Sequence, residues 1–244
     1  MSKVYNPMFI SLVVSLLLNV VLIYLLVMSE RMNHSIEIAL DKRGLVQMNE
    51  KHRPDYRMQQ GWTNSIEKQH KQYDVAFFGN SLTYNSDFQR YYPDLAIINL
   101  GVSGNTLKDM RRRISTLVAA NPKKVFIMAG ANDLLIESID EYEEDYMNVI
   151  NNIKKFLPMT RIYVQSMLPM NASAGYKQVP SNTIIEANGR IRILSEKMNV
   201  TYVDIFSSYA IADTLKSDVS DDGLHLIPDS YCIWGDVIKK FIYQ

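Results

Sequence analysis

Five short apolar runs are spaced along the chain between residues 75 and 203, and polar or glycine-containing segments separate them. Each run is three or four residues long and rich in β-branched, aromatic or other apolar side chains. The runs are Val75–Phe78, Leu95–Ile98, Val125–Met128, Ile162–Val164 and Thr201–Val203. Continuous apolar runs of this length predict strands that are buried on both faces, as in a parallel sheet.

The segments between these runs carry apolar residues every three or four positions, which predicts amphipathic helices. Thr106 precedes the first of these helices and can cap it. The apolar positions are Leu107, Met110, Ile114 and Leu117; Tyr142, Tyr146, Val149, Ile153 and Phe156; Ile184, Ala187, Ile191, Leu194 and Met198; and Tyr231, Trp234, Val237, Ile238 and Phe241. Strands that alternate with helices predict an α/β fold in which a five-stranded parallel sheet is sandwiched between helices.

The amino-terminal segment has a different pattern. Residues 8–28 contain no charged side chain, and only Ser11, Ser15 and Asn19 interrupt the apolar run. Because about 20 helical residues cross a hydrocarbon core of ~30 Å, we predict a transmembrane helix. A cleaved signal peptide is the alternative. It is disfavoured because the apolar run exceeds the usual signal core of about 7–15 residues and Val27–Arg31 offers no small-x-small cleavage site.

Residues 29–72 are polar and rich in charge, with apolar side chains at mixed spacing. This pattern predicts a partly helical linker that Pro54 interrupts. We therefore expect an N-terminal transmembrane anchor at residues 1–28, a linker at 29–72 and an α/β domain at 73–244. The expected location is the membrane, in a single pass. We expect the folded domain on the extracytoplasmic side, since long domains translocate largely regardless of their charge.

The charge balance and the cysteine and histidine content limit the expected partners, disulfides and metal sites. The 26 basic and 26 acidic side chains balance, so nucleic acid is not an expected partner. The basic run Arg111–Arg113 is interpreted as a solvated helix face. Cys232 is the only cysteine, which excludes an intramolecular disulfide, and its apolar neighbours predict a packing role. The spacing of His34, His52 and His70 does not resemble a metal site, and we predict neither a metal nor an organic cofactor.

Glycine-containing motifs directly follow three of the predicted strands. They are Gly79-Asn-Ser81, Gly101-Val-Ser-Gly104-Asn and Gly130-Ala-Asn132-Asp133. Because the carboxyl ends of parallel strands meet at one edge of the sheet, these motifs should converge there. A fourth motif, Asp222-Gly-Leu-His225, precedes the last predicted helix, and its carboxylate can orient the imidazole within a tight turn.

These motifs can supply the groups that acyl transfer by a serine requires. A serine hydroxyl needs a general base, a group that orients the base, and donors aimed at the developing oxyanion. Ser81 is the candidate nucleophile, His225 the base and Asp222 the orienting carboxylate. The backbone N–H groups of Ser81 and Gly104 and the side-chain amide of Asn132 are the candidate oxyanion donors. Asp133 is expected to brace the adjacent turn.

In this order, the four motifs resemble the four sequence blocks of the SGNH, or GDSL-type, hydrolases, over about residues 74–244. The resemblance implies a flavodoxin-like three-layer fold, a triad of Ser81, Asp222 and His225, and an oxyanion hole of Ser81, Gly104 and Asn132. One residue departs from the pattern: Asn80 stands where the family usually has aspartate. Asparagine keeps the hydrogen-bonding shape of aspartate but loses its charge. The α/β-hydrolase motif Gly-x-Ser-x-Gly is absent, since Thr83 replaces its second glycine.

The leading functional hypothesis is an esterase that removes a small acyl group, for example acetyl, from a carbohydrate or cell-envelope ester through an acyl-serine intermediate. Its expected partners are this acyl-ester substrate, for example an acylated glycan, and the membrane. Two alternatives stay open. One is a lysophospholipase or thioesterase acting on longer acyl chains, and the other is a catalytically silent glycan-binding or scaffold protein. The sequence indicates neither the substrate-binding residues nor the oligomeric state.

Overall fold

The computed structural model describes residues 56–69, 71–174 and 179–244. The strands are β1 (Val75–Gly79), β2 (Ile97–Gly101), β3 (Lys124–Met128), β4 (Arg161–Gln165), β5 (Thr201–Val203), β6 (Ala210–Ile211) and β7 (Thr214–Leu215). The helices are α1 (Tyr56–Gln69), α2 (Ser81–Tyr84), α3 (Phe88–Tyr91), α4 (Leu107–Arg112), α5 (Ile114–Ala120), α6 (Ile139–Phe156), α7 (Ser181–Lys197), α8 (Phe206–Tyr209) and α9 (Tyr231–Ile242). Short 3₁₀ turns lie at Ala172–Ala174 and Pro228–Ser230.

The main sheet is parallel and has the strand order β2-β1-β3-β4-β5. One hydrophobic core lies between one face of the sheet and α1, α4, α5, α6 and α7. A second core lies between the other face and α2, α3, α8 and α9. Successive β1 residues alternate between the two cores, with Phe77 in one and Phe78 in the other. The predicted three-layer α/β fold with five parallel strands is confirmed.

The strand order places the candidate site at the carboxyl edge of the sheet, beyond the ends of β1 and β3. The chain runs from β1 outward to β2 and then returns to β3 on the other side of β1. Loops after β1 and β3 therefore diverge at their carboxyl ends, and such a switch point is where open α/β sheets bind ligands. Ser81 follows β1 and Asn132 follows β3.

Two local predictions were wrong in their boundaries. The second strand is Ile97–Gly101 rather than Leu95–Ile98. It can include Asn99 because the Asn99 side chain accepts a hydrogen bond from Gly101 N–H at 2.8 Å and donates to Ser86 O at 2.9 Å. The helix predicted through positions 107–117 is broken at Arg113, whose φ of −101° and ψ of 23° separate α4 from α5.

Two side-chain predictions were also wrong. Arg113 does not lie on a solvated face, because it is only 1% exposed, whereas the side chain of Arg111 is 43% exposed. Cys232 is exposed rather than packed. It is the second residue of α9, and the buried side of that helix is formed by Tyr231, Trp234 and Ile238 instead.

Helix α1 lies within the 29–72 segment of the sequence analysis. Its Ile66 side chain is buried in the core, and its Thr63 Oγ1 lies 3.2 Å from Thr116 Oγ1 of α5. None of the helices in the described ranges combines the length and apolar character needed to cross a bilayer. The apolar segment 8–28 and the remaining part of the predicted linker lie outside these ranges.

Candidate active site

Ser81 occupies the first position of α2, immediately beyond the carboxyl end of β1. Asn80 caps this helix, since its side-chain oxygen accepts a hydrogen bond from Leu82 N–H at 3.1 Å. The Asn80 side chain is only 1% exposed. Asparagine therefore performs the capping interaction that a carboxylate at this position would make, and the departure from the family pattern leaves the turn intact.

Two glycines allow α2 to lie close to the strand ends. A Cβ at Gly79 would be 2.3 Å from Thr83 Oγ1 and 2.5 Å from Met128 O. A Cβ at Gly101 would be 2.2 Å from Tyr84 N. All three distances are far below van der Waals contact, so these two positions require glycine if Ser81 is to hold its place at the sheet edge.

The loop before α9 brings a histidine to the serine. Ser81 Oγ lies 3.0 Å from His225 Nε2, and His225 Nδ1 lies 2.7 Å from Asp222 Oδ2. The other carboxylate oxygen of Asp222 accepts hydrogen bonds from the N–H groups of Leu224 at 2.9 Å and His225 at 2.7 Å. The structure thus brings together the three residues that the sequence analysis predicted as a triad.

Hydrogen bonding keeps Asp222 ionised. Partial burial raises its pKa, but hydrogen bonds from the His225 ring and from the N–H groups of His225 and Leu224 outweigh this effect and lower the pKa to about 2. An ionised carboxylate can only accept hydrogen bonds, so His225 Nδ1 is the donor in their contact. His225 Nε2 in the neutral ring is then the acceptor for the Ser81 hydroxyl, as a general base requires.

The other two predicted site residues lie in the neighbouring loops. Gly104 adopts a left-handed conformation with φ of 75° in the turn after β2. Asn132 lies in the loop after β3, and its Nδ2 donates to Asn105 O at 2.9 Å. An amide nitrogen carries two N–H groups, and this contact uses one of them. The contact connects the Gly104 loop to the Asn132 loop.

Asp133 braces these loops, as expected. It is fully buried, and its two carboxylate oxygens accept hydrogen bonds from Leu107 N–H at 2.7 Å and Gly130 N–H at 3.1 Å. Burial raises the pKa of Asp133 to about 7, against the opposing effect of these donors. The carboxylate therefore joins the start of α4 to the loop that carries Asn132.

Two supporting features were missed at the sequence level. The loop after β4 supports the loop that carries Asp222 and His225, because Asn171 N–H donates to Gly223 O at 2.8 Å. Arg113 is buried and donates to Gly79 O, two residues before Ser81, at 2.8 Å. A sequence signal for Arg113 existed, since it lies three residues after Met110 and four before Leu117, on the apolar side of the periodic pattern.

Comparisons with known proteins identify the family of this chain. Residues 61–231 match the model of the GDSL-like lipase/acylhydrolase family, so the chain belongs to that family. An acetylxylan esterase from Geobacillus stearothermophilus is 27% identical over 140 residues, which are 50% of this chain and 60% of that protein.

Solved structures share the fold. A GDSL-like lipase from Bacteroides thetaiotaomicron has a TM-score of 0.64 and 21% identity, covering 76% of this chain and 97% of that one. A Streptococcus pneumonia protein named for platelet activating factor has a TM-score of 0.71 and 22% identity, covering 77% and 92%. The structure of an acetylxylan esterase from Geobacillus stearothermophilus has a TM-score of 0.58 and 21% identity, covering 70% and 94%.

Proposed function

We propose that the protein is an esterase that removes a small acyl group, in particular acetyl, from a carbohydrate or another ester of the cell envelope. The observation that carries this proposal is the continuous hydrogen-bonded series from Ser81 Oγ through the His225 ring to the Asp222 carboxylate. Such a series activates a serine hydroxyl for attack on an ester carbonyl.

In the proposed mechanism, Ser81 Oγ attacks the carbonyl carbon while its proton passes to His225 Nε2. Asp222 stabilises the resulting imidazolium through Nδ1. The negative charge on the carbonyl oxygen is met by the N–H groups of Ser81 and Gly104 and by the side-chain amide of Asn132. Collapse of the tetrahedral intermediate expels the alcohol, which takes its proton from His225.

The second half of the proposed reaction releases the acyl group. A water molecule gives a proton to His225 Nε2 and attacks the acyl-Ser81 ester, and the same three donors meet the second oxyanion. Collapse returns the proton to Ser81 Oγ and releases the carboxylic acid. Every step uses residues of this chain, and the proposal needs neither a metal nor an organic cofactor.

The substrate class rests on similarity rather than on the geometry of the triad. The acetylxylan esterase relative supports an acetylated carbohydrate as substrate. The same triad could act on other acyl groups, because the fold hosts sites of different specificity. We further propose that residues 8–28 anchor the protein in a membrane and that the α/β domain faces the extracytoplasmic side, next to the esters of the cell envelope.

Replacing the nucleophile tests the reaction. Ser81→Ala should abolish hydrolysis of a chromogenic acetyl ester, because no other group at this position can form the acyl-enzyme. Ser115→Ala changes an exposed serine of α5 and is the matched control, with activity equal to wild type. Undiminished turnover by Ser81→Ala would refute the mechanism.

Two further measurements separate the alternatives. A fluorophosphonate probe should label wild-type protein at Ser81, whereas a catalytically silent binding protein would stay unlabelled. A series of chromogenic esters should show the highest kcat/KM for acetyl. A preference for acyl chains beyond about eight carbons would instead identify a lipase, lysophospholipase or thioesterase and reject the small-acyl proposal.

A further inference from the structure

A single buried guanidinium, that of Arg113, contacts the segments next to Ser81 and Gly104. Arg113 lies in the break between α4 and α5 and is 1% exposed. Its Nη2 donates to Gly79 O at 2.8 Å, its Nη1 donates to Leu100 O at 2.7 Å, and its Nε donates to Asn105 Oδ1 at 2.6 Å. The guanidinium therefore has three separate acceptors on three segments of the chain.

The three acceptors are placed next to the reacting groups. Gly79 is the last residue of β1, two positions before Ser81, and its carbonyl also accepts Val102 N–H at 3.0 Å. Leu100 is the penultimate residue of β2, the strand that leads into the Gly104 turn. Asn105 follows Gly104 directly, so the Nε contact fixes the far side of that turn.

Asn105 extends the connection to the third donor. Its backbone carbonyl accepts the hydrogen bond from Asn132 Nδ2 at 2.9 Å. One residue thus receives the Arg113 side chain on its own side chain and the Asn132 amide on its backbone. A displacement of Asn105 would move both the Gly104 turn and the Asn132 amide.

Arginine suits this position because its planar guanidinium presents several donors in a fixed arrangement. The guanidinium carbon lies 4.3 Å from the centre of the Phe78 ring, which supports its plane from β1. A lysine ammonium is a single donor centre and cannot reach three divergent acceptors. The position therefore requires the shape of the guanidinium and not only its charge.

We propose that Arg113 is the positioning residue of the oxyanion hole. It holds the N–H groups of Ser81 and Gly104 and the amide of Asn132 in the positions from which they can donate to one oxyanion. It acts through Gly79, Leu100 and Asn105 and does not touch the substrate. This inference rests on the proposed acyl-serine mechanism. Donors to an oxyanion act mainly in the transition state, so their displacement lowers kcat and leaves KM nearly unchanged.

The test compares Arg113→Lys with Arg111→Lys, which changes an exposed arginine at the end of α4. Titration with a fluorophosphonate gives the fraction of folded, reactive protein from its end point and the reactivity of Ser81 from its rate. Arg113→Lys should reach full labelling, with the labelling rate and kcat both lowered by about ten- to one-hundredfold, since a displacement of ~1 Å can cost ~100-fold. Its KM should stay within about twofold. Arg111→Lys should match wild type in all four quantities.

A second pair of variants decides the matter if Arg113→Lys does not fold. Asn105→Ala removes the acceptor of Arg113 Nε, whereas Asn105→Asp keeps it. Slow labelling and low kcat for Asn105→Ala, with near-wild-type values for Asn105→Asp, support the inference. Wild-type labelling rate and kcat in Arg113→Lys or in Asn105→Ala would overturn it. Failure of wild-type protein to label at all would refute the proposed function itself, and the two failures are therefore distinguishable.

Discussion

At the scale of a single residue, the hydrogen bonds of Asp222 both orient the base and keep the carboxylate ionised. Its carboxylate orients His225, and the same hydrogen bonds lower its pKa to about 2, well below the ordinary value of an aspartate. Asp222→Asn should lower kcat at neutral pH by about three to four orders of magnitude. The asparagine amide would donate to Nδ1, which forces the proton onto Nε2 and leaves no acceptor for the Ser81 hydroxyl.

The same substitution has a predictable effect on the pH dependence of stability. Because the folded-state pKa lies below the unfolded-state value, the carboxylate stabilises the folded protein above about pH 4. This contribution is lost as the pH falls through about 2. Urea denaturation measures the free energy of unfolding. The difference in this free energy between wild type and Asp222→Asn should therefore shrink from pH 5 to pH 2. Asp221→Asn, at the exposed neighbouring carboxylate, is the control. A constant difference would contradict the assigned hydrogen bonds.

At the scale of elements, α2 can hold the nucleophile only because glycine lies beneath it. A Cβ at Gly101 would be 2.2 Å from Tyr84 N and 2.6 Å from the Thr83 carbonyl carbon, both backbone atoms that cannot rotate away. Gly101→Ala should therefore displace α2, lower the free energy of unfolding by about 1–3 kcal/mol and reduce kcat. Urea denaturation and acetyl-ester kinetics measure the two effects.

Gly189 of α7 is the matched control for this prediction. A Cβ there would meet no atom within 4 Å beyond its chain neighbours and the backbone of its own helix. Gly189→Ala should stabilise the helix by about 0.5–1 kcal/mol, because alanine loses less backbone entropy than glycine on folding. Equal stability and activity of Gly101→Ala and wild type would show that α2 does not depend on this close approach.

The elements also show which parts of the fold a sequence reveals. Runs such as Val125–Met128 predict their strands because burial on both faces requires continuous apolar side chains. Asn99 concealed the true extent of β2, since a polar residue is acceptable there only through hydrogen bonds to Ser86 and Gly101 that tertiary structure provides. Arg113 was assigned to the surface for the same reason, because its acceptors lie on other segments of the chain.

The residues of the candidate site were easier to predict from the sequence than the contacts that hold them together. Ser81 and Asn132 follow strands, and parallel strands end at one edge, so their convergence follows from the order of elements alone. The contact between Ser81 and His225 joins residues 144 positions apart. Local spacing can place Asp222 beside His225, but only the packing of α9 against the sheet brings their loop to Ser81.

At the scale of the whole molecule, the proposed membrane anchor can be tested separately from catalysis. The proposed anchor at residues 8–28 predicts that full-length protein stays in the membrane fraction after alkaline carbonate washing. Leu18→Arg combined with Val21→Arg should release it, since each arginine near the centre of a span costs about 2.5–3.5 kcal/mol of insertion free energy. Ile36→Arg, outside the apolar run, is the control.

Mass analysis of the purified protein distinguishes an anchor from a cleaved signal peptide. An anchored chain retains residues 1–28, whereas a processed chain begins after them and is recovered in the soluble fraction without any substitution. Release of the unmodified, full-length protein by carbonate would also contradict the anchor. None of these outcomes alters the expected activity on acetyl esters, because Ser81, His225 and Asp222 all lie in the compact unit Arg57–Gln244. Localisation and catalysis are therefore independent predictions, and each can fail without the other.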